Sequence, residues 1–233
     1  IIYDPTRVDQ AGGWLFEPEH YRLQGTADVQ AMGRGNIVFL QLGEDQWVLR
    51  QYGRSGLPAS LGIRRYWWTG LRNSRPWREF HILAKLHDAG FSVPAPIAAR
   101  VQRKGFTYAG ALITERLRNM RPLADWLMEA PLPEAVWRDI GALAGRLHAR
   151  RVHHTDLNIT NLLLDAEHRV HMIDFDNARE SAPSVLLALG MRRFRRSFRK
   201  AVRERPVFHY DDRCWQWLMP MRPCLIWPAP FWT

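Results

Sequence analysis

A two-lobed α+β fold is predicted, with a strand-rich N-terminal lobe over residues 1–115 and a mainly helical C-terminal lobe over residues 116–233. Three observations predict it. Apolar stretches broken by turn residues fill positions 26–52 and 95–115. Apolar residues at helical spacing follow, over 133–150 and 191–205. A short hairpin, entered through His, Asp and Asn, lies between those two helices. Strands first and helices afterwards give segregated layers rather than alternating βα units.

Along the chain, Thr26 to Met32 reads as a strand that leads into Gly33-Arg34-Gly35. Asn36 to Leu42 and Gln46 to Tyr52 are its successors, joined by the turn Gly43-Glu44-Asp45. A loop spans Gly53 to Gly56. Ser74 and Pro76 signal a helix start and Gly90 its stop. Within that helix Trp77, Phe80, Ala84 and His87 recur at helical spacing, and Glu79 sits among them. Residues 95–115 form a hairpin that turns at Lys104-Gly105, and Thr114 to Leu117 has the character of a hinge. A second helix runs from about Pro133 to Arg150, its stripe being Val136, Ile140, Leu143, Ala144 and Leu147. Core packing accounts for that stripe without a cofactor. Residues 191–205 carry eight Arg or Lys, with Met191, Phe194, Phe198, Ala201 and Val202 on one face. Such a basic amphipathic helix docks on a core by its apolar face, and it also suits an anionic surface.

Composition limits the partners. The hydrophobic fraction of 46% and charged fraction of 24% are those of a soluble globular chain. No run approaches the roughly 18 apolar residues that a membrane span needs. Net charge is +10, which calls for an anionic partner. Of 33 basic residues only Lys85, Lys104 and Lys200 are lysines. Arginine suits phosphate and carboxylate, although codon bias explains much of the ratio. The basic block lacks interleaved stacking aromatics, so nucleic acid is not an expected partner. Cys214 and Cys224 have no metal-type spacing and fit a reducing compartment.

The chemistry concentrates in His154-Thr155-Asp156-Leu157-Asn158-Ile159-Thr160-Asn161 and Ile173-Asp174-Phe175-Asp176. Leu162 to Leu164, a turn at 165–168 and Arg169 to Ile173 make a hairpin that returns Asp174 toward Asn161. Asp156 on a loop accepts a proton from an attacking hydroxyl. Asn161 and Asp174 supply hard oxygen ligands to Mg²⁺ on the phosphates of ATP. Each element alone is weak, and together in this order they specify phosphoryl transfer. Gly33 and Gly35 read either as a hairpin turn or as a loop whose backbone approaches phosphate. Asp176 reads as a second metal or sugar contact, or as a structural partner of Arg179. A zinc site at His153, His154 and Asp156 lacks the accompanying ligands such sites need.

These segments resemble the 3-deoxy-D-manno-octulosonic acid (Kdo) kinases of lipopolysaccharide synthesis, small relatives of protein kinases. The resemblance adds Ile2-Tyr3-Asp4-Pro5, Trp47-Val48-Leu49-Arg50, Tyr66-Trp67-Trp68-Thr69-Gly70-Leu71, Arg78-Glu79-Phe80 and Val93-Pro94-Ala95-Pro96. It implies a bilobal protein-kinase-like fold, with ATP and Mg²⁺ as cofactors. The implied acceptor is the 4-hydroxyl of Kdo on a lipid A precursor, at the cytoplasmic face of the inner membrane. Asp156 is then the catalytic base, and Asn161 and Asp174 the metal ligands. Gly33 and Gly35 cover the phosphates, and Arg50, paired with Glu79, grips them. Arg50 stands where protein kinases carry a lysine, and Asp176 where they carry a glycine. No A-P-E segment follows, which favours a small-molecule or glycolipid acceptor over a peptide. Heptose kinases of the same pathway, and a kinase fold that binds without catalysis, share most of these residues.

Overall fold

The computed structural model describes residues 1–24, 28–32, 37–52 and 65–219, without the side chains of Gln24 and residues 28–32. Gly33, Gly35, the loop expected at 53–56 and residues 220–233 lie outside the described residues. The chain divides into two compact units, Ile1–Gly90 with Pro94–Leu117 and Phe91–Val93 with Arg118–Thr233.

The first unit is built on an antiparallel sheet. Its strands are β1 (Ile2–Tyr3), β2 (Asp28–Met32), β3 (Ile37–Leu42), β4 (Asp45–Tyr52), β5 (Tyr66–Trp67), β6 (Pro96–Lys104) and β7 (Thr107–Glu115). They lie in the order β1-β6-β7-β4-β3-β2, with β5 also on β7. Sequence neighbours pair where the turns are short: β3 with β4 from Ile37↔Arg50 to Leu42↔Asp45, and β6 with β7 to Lys104↔Thr107. Period-two alternation sends Val38, Leu40, Trp47 and Leu49 into a core with Phe16, Tyr21, Ile97 and Ile113. Helix α1 (Pro18–Gln24) precedes β2 in the chain.

Helix α2 (Arg75–Asp88) starts after Ser74 and stops before Gly90, as its punctuation predicts. Its buried face differs from the expected one. Pro76, Glu79, Phe80, Ile82, Leu83 and Leu86 are buried, whereas Trp77 and Ala84 are half-buried and His87 is exposed. The reason is a charged residue on the inward face: Glu79 occupies a core position that an apolar pattern cannot reveal.

The second unit contains β8 (Arg121–Pro122), α3 (Leu123–Glu129), α4 (Glu134–Ala149), β9 (Leu162–Leu164), β10 (Val170–Met172), α5 (Ser184–Glu204) and α6 (Asp212–Leu218). The hairpin β9–β10 pairs from Leu162↔Met172 to Leu164↔Val170, and β8 extends it. The whole expected stripe of α4 is buried, together with Trp137 and His148. Gly141 lets α6 approach closely; a Cβ there would stand 1.9 Å from the Leu218 carbonyl oxygen. Helix α5 buries Leu187, Gly190, Met191, Phe194, Phe198 and Ala201. Phe198 stacks on Tyr210 at 4.6 Å between ring centres and meets Trp137 at 5.6 Å. Val202, expected on the buried face, is 43% exposed because the helix end turns that position outward. Among the described residues, no helix is long and apolar enough to cross a membrane.

Candidate active site: a braced catalytic loop and a buried ion pair

Residues 153–161 leave α4 as a loop whose backbone is tied down from several sides. The amide of His153 donates to the carbonyl of Arg179 at 2.8 Å, and the amide of Arg179 returns to His153 at 3.0 Å. Thr155 Oγ1 donates to the Asp176 carbonyl at 3.1 Å. Arg193, on α5, donates through Nη1 to the carbonyl of Thr155. Within the loop, Asn158 Oδ1 accepts the amides of Thr160 (2.8 Å) and Asn161 (3.2 Å), a local turn typical of Asn. Asp156 itself is exposed at the end of this bracing.

Asn161 and Asp174 are brought together by the root of the hairpin. Asn161 is buried, and its Nδ2 donates to the Asp156 carbonyl at 2.9 Å, with Asp156 Oδ2 at 3.5 Å. The Ile173 amide donates to the Asn161 carbonyl at 3.0 Å, so Asp174 begins where the ladder ends. Asp174 adopts φ 64, a left-handed conformation that Asp tolerates better than most residues. Asn177 has φ 61, so an Asp and an Asn carry the turn around Asp176 without glycine.

These oxygens fit Mg²⁺. With Nδ2 used as a donor, the side-chain oxygen of Asn161 is left as an acceptor, on a residue whose backbone pairs with Ile173, the neighbour of Asp174. Among the described residues, no three His, Cys, Asp or Glu converge as a metal cage. Mg²⁺ takes few protein ligands and fills its shell with phosphate oxygens and water, which suits a pair of this kind. Behind the loop stand three buried histidines. Burial, with His153 nearby, pushes His148 down to about 4. Burial first, then the Arg193, His154 and Arg179 charges, lowers His153. Burial lowers His154 too, against the raising effects of its bond to Ile173 and of Asp174 and Asp156. A neutral His154 donates from Nε2 to the Ile173 carbonyl at 3.0 Å and lies 4.7 Å from the Phe175 ring centre. These contacts buttress the loop next to Asp156. Arg179 engages His153 through its backbone, a different partner from the Asp176 considered for it.

In the first unit, Arg50 on β4 meets Glu79 on α2. Arg50 Nη2 donates to Glu79 Oε1, and Tyr52 Oη donates to Glu79 Oε2. Arg50 also reaches Tyr52 Oη at 3.2 Å and lies 5.1 Å from its ring centre. The Glu79 carboxylate, only 3% exposed, is thus held by a guanidinium and a phenol. Tyr52 escaped the sequence reading although a signal existed: two residues beyond Arg50, it shares that face of the strand. Arg193 also escaped it, because a contact 38 residues away leaves no local pattern.

Comparison with known proteins decides the family. The family model described as "Lipopolysaccharide kinase (Kdo/WaaP) family" matches residues 19–204. This chain belongs to the Kdo/WaaP lipopolysaccharide kinase family. It is 40% identical over 207 residues to the 3-deoxy-D-manno-octulosonic acid kinase of Vibrio cholerae serotype O1, covering 89% of this chain and 88% of that one. The Vibrio parahaemolyticus protein of the same name is 36% identical over 97% of this chain and 94% of its own. A Haemophilus influenzae protein, also of that name, is 35% identical with 92% of each chain covered. Among solved structures, the Cydia pomonella granulovirus kinase PK-1 overlaps 70% of this chain and 55% of its own, with 15% identity and a TM-score of 0.46. The matched span, residues 19–204, contains Asp156, Asn161 and Asp174.

Proposed function

We propose that this protein transfers the γ-phosphoryl group of ATP to the 4-hydroxyl of Kdo on a lipid A precursor. The observation that carries the reading is the exposed Asp156 braced beside Asn161, with Asp174 at the root of the same hairpin, in a chain of this family. The names of its full-length relatives support Kdo as the acceptor sugar.

In this reading Asp156 accepts a hydrogen bond from the sugar hydroxyl and takes its proton as the new O–P bond forms and the bond to ADP breaks. Asn161 and Asp174 hold Mg²⁺, which when bound neutralises charge on the phosphate oxygens. Arg50 grips the α and β phosphates, kept in orientation by Glu79 and Tyr52, and Gly33 and Gly35 cover them.

The substrate is lipid-borne, so we place the enzyme as a peripheral protein on the cytoplasmic face of the inner membrane. Helix α5 supports this. Its apolar face is used on the core, and Val185, Leu189, Arg192, Arg196, Arg199 and Arg203 are exposed. At 100° per residue these positions form one outward stripe. Attraction to anionic headgroups is worth about 1 kcal/mol per basic residue near the surface and is screened by salt.

The deciding experiment incubates the protein with ATP, Mg²⁺ and Kdo-lipid A precursor and weighs the product. Addition of one phosphate, mapped to the 4-position, is expected. Phosphorylation of a heptose-bearing acceptor alone would reassign the sugar, and no transfer to either would leave a binding protein. Vesicle co-sedimentation tests the location: pelleting should require anionic lipid and weaken as NaCl rises. Equal pelleting with neutral vesicles would refute it.

A further inference from the structure

We propose that Arg179 and Arg193 form an anion subsite beside the catalytic loop that binds the carboxylate of the acidic sugar being phosphorylated. The proposal rests on the Kdo reading above and deepens it.

Three observations place the two arginines. The backbone bridge between His153 and Arg179 sets residue 179 alongside the segment entering Asp156, and the Thr155–Asp176 bond continues that alignment. From the other side, Arg193 reaches the carbonyl of Thr155, the residue preceding Asp156. Gly190, one turn earlier on α5, seats the helix on the same loop; a Cβ there would lie 3.2 Å from His153 Cε1. Both guanidinium groups also lie close enough to His153 to disfavour its protonation.

Their charges are uncommitted, unlike those of neighbouring arginines. Elsewhere in this unit Arg121 pairs with Glu129, Arg138 with Glu134, Arg169 with Asp165 and Arg195 with Asp212. Arg179 and Arg193 are exposed, and among the described residues neither pairs with a carboxylate. One hydrogen bond to Thr155 uses one of five N–H donors of Arg193 and leaves the rest for a ligand.

The ligand's chemistry follows from its ring. Kdo is an acid, and one ring carbon separates the carbon bearing the carboxylate from the carbon bearing the 4-hydroxyl. Offering that hydroxyl to Asp156 therefore brings a second negative charge toward Asp156 and Asp174. A countercharge at this end of the loop relieves the repulsion, and guanidinium matches carboxylate in bidentate geometry. A sugar without the carboxylate gains nothing there, so the pair also selects among acceptors.

The test uses the full chain, Arg179→Gln and Arg193→Gln, and two acceptors: Kdo-lipid A precursor and its carboxyl methyl ester. A hydrogen bond to a charged group is worth about 1.5–3 kcal/mol, or roughly 10- to 100-fold. The wild type should prefer the free acid by about that factor in kcat/KM, through KM for the acceptor. Arg179→Gln should lose the preference, by falling on the acid and not on the ester, with KM for ATP unmoved; Arg193→Gln, which also frees the Thr155 carbonyl, should fall further on the acid than on the ester. Equal losses on acid and ester would overturn the subsite and leave the arginines as props of the loop or ligands of the lipid's phosphates. No loss in either variant would overturn it too. Arg179→Gln is the cleaner probe, because Arg179 meets the loop only through its backbone. Absence of turnover by the wild type on both acceptors would refute the Kdo reading itself, and the subsite with it.

Discussion

The two halves of the proposed catalytic machinery are held by different means. In the first unit a buried carboxylate, Glu79, is fixed by side chains, Arg50 and Tyr52. In the second, Asp156 is exposed, and the chain around it is fixed by backbone bonds at His153, Ile173 and Arg179 and by the side chains of Thr155, Asn161 and Arg193 bonding to backbone carbonyls. A buried charge depends on its partners, because a bare carboxylate in a core is costly. An exposed carboxylate on a braced loop depends on nothing but the loop. Function and stability should therefore be coupled in the first region and separable in the second.

The largest expected effect tests the separable half. Asp156→Ala should lower kcat by about 10²–10⁴-fold, the usual contribution of a positioned base, and Asp174→Ala by at least as much. Both variants should keep the wild-type circular dichroism and a melting temperature within a few degrees. Near-normal turnover by either would refute the role assignment. A collapsed fold would show that the loop depends on its charged side chains after all.

A smaller effect is expected in the coupled half, and on both axes together. Arg50→Ala takes a cation from the buried Glu79, at a cost of about 3 kcal/mol, near the lower end for such pairs because Arg50 is 24% exposed. The variant should lose denaturant resistance and show a raised KM for ATP. Tyr52→Phe removes one bond to the same carboxylate and should cost about 1.5–3 kcal/mol, with a milder change in KM. Arg50→Ala combined with Glu79→Gln should recover part of the stability and none of the ATP affinity. Recovery of both would mean that Arg50 acts only through Glu79. A single Arg50→Ala that alters neither property would break the comparison at its root.

The two regions also differed in how far the sequence disclosed them. Asp156, Asn161 and Asp174 were legible because a short hairpin joins them, so their spacing along the chain encodes their meeting in space. The stripe of α4 was legible because every member is apolar and faces one core. The buried face of α2 was not, since Glu79 holds a core position and the aromatic Trp77 lies outside it. Tyr52 had a readable strand-face signal that gains meaning only once Glu79 is known to be buried. Arg193 and its bond to Thr155 join α5 to a loop far away in the chain, and no local pattern records such a contact.

A last expected effect, confined to acid conditions, sharpens the comparison by pH. Separability in the second region has a limit, because His148, on the helix that delivers the loop, is buried and pushed down to about 4. Its ordinary value is 6.5, which it regains on unfolding. Between these values the unfolded chain binds the proton and the folded chain does not, so stability rises with pH across that window. The contribution is present in full above about pH 6.5 and is lost as pH falls toward 4, reaching roughly 3 kcal/mol for a shift of this size. His153 and His154 are lowered as well and act with the same sign. Melting temperatures at pH 7 and pH 4.5 should therefore differ more for the wild type than for His148→Gln, whose amide does not titrate. Parallel curves for the two proteins would remove His148 as the cause.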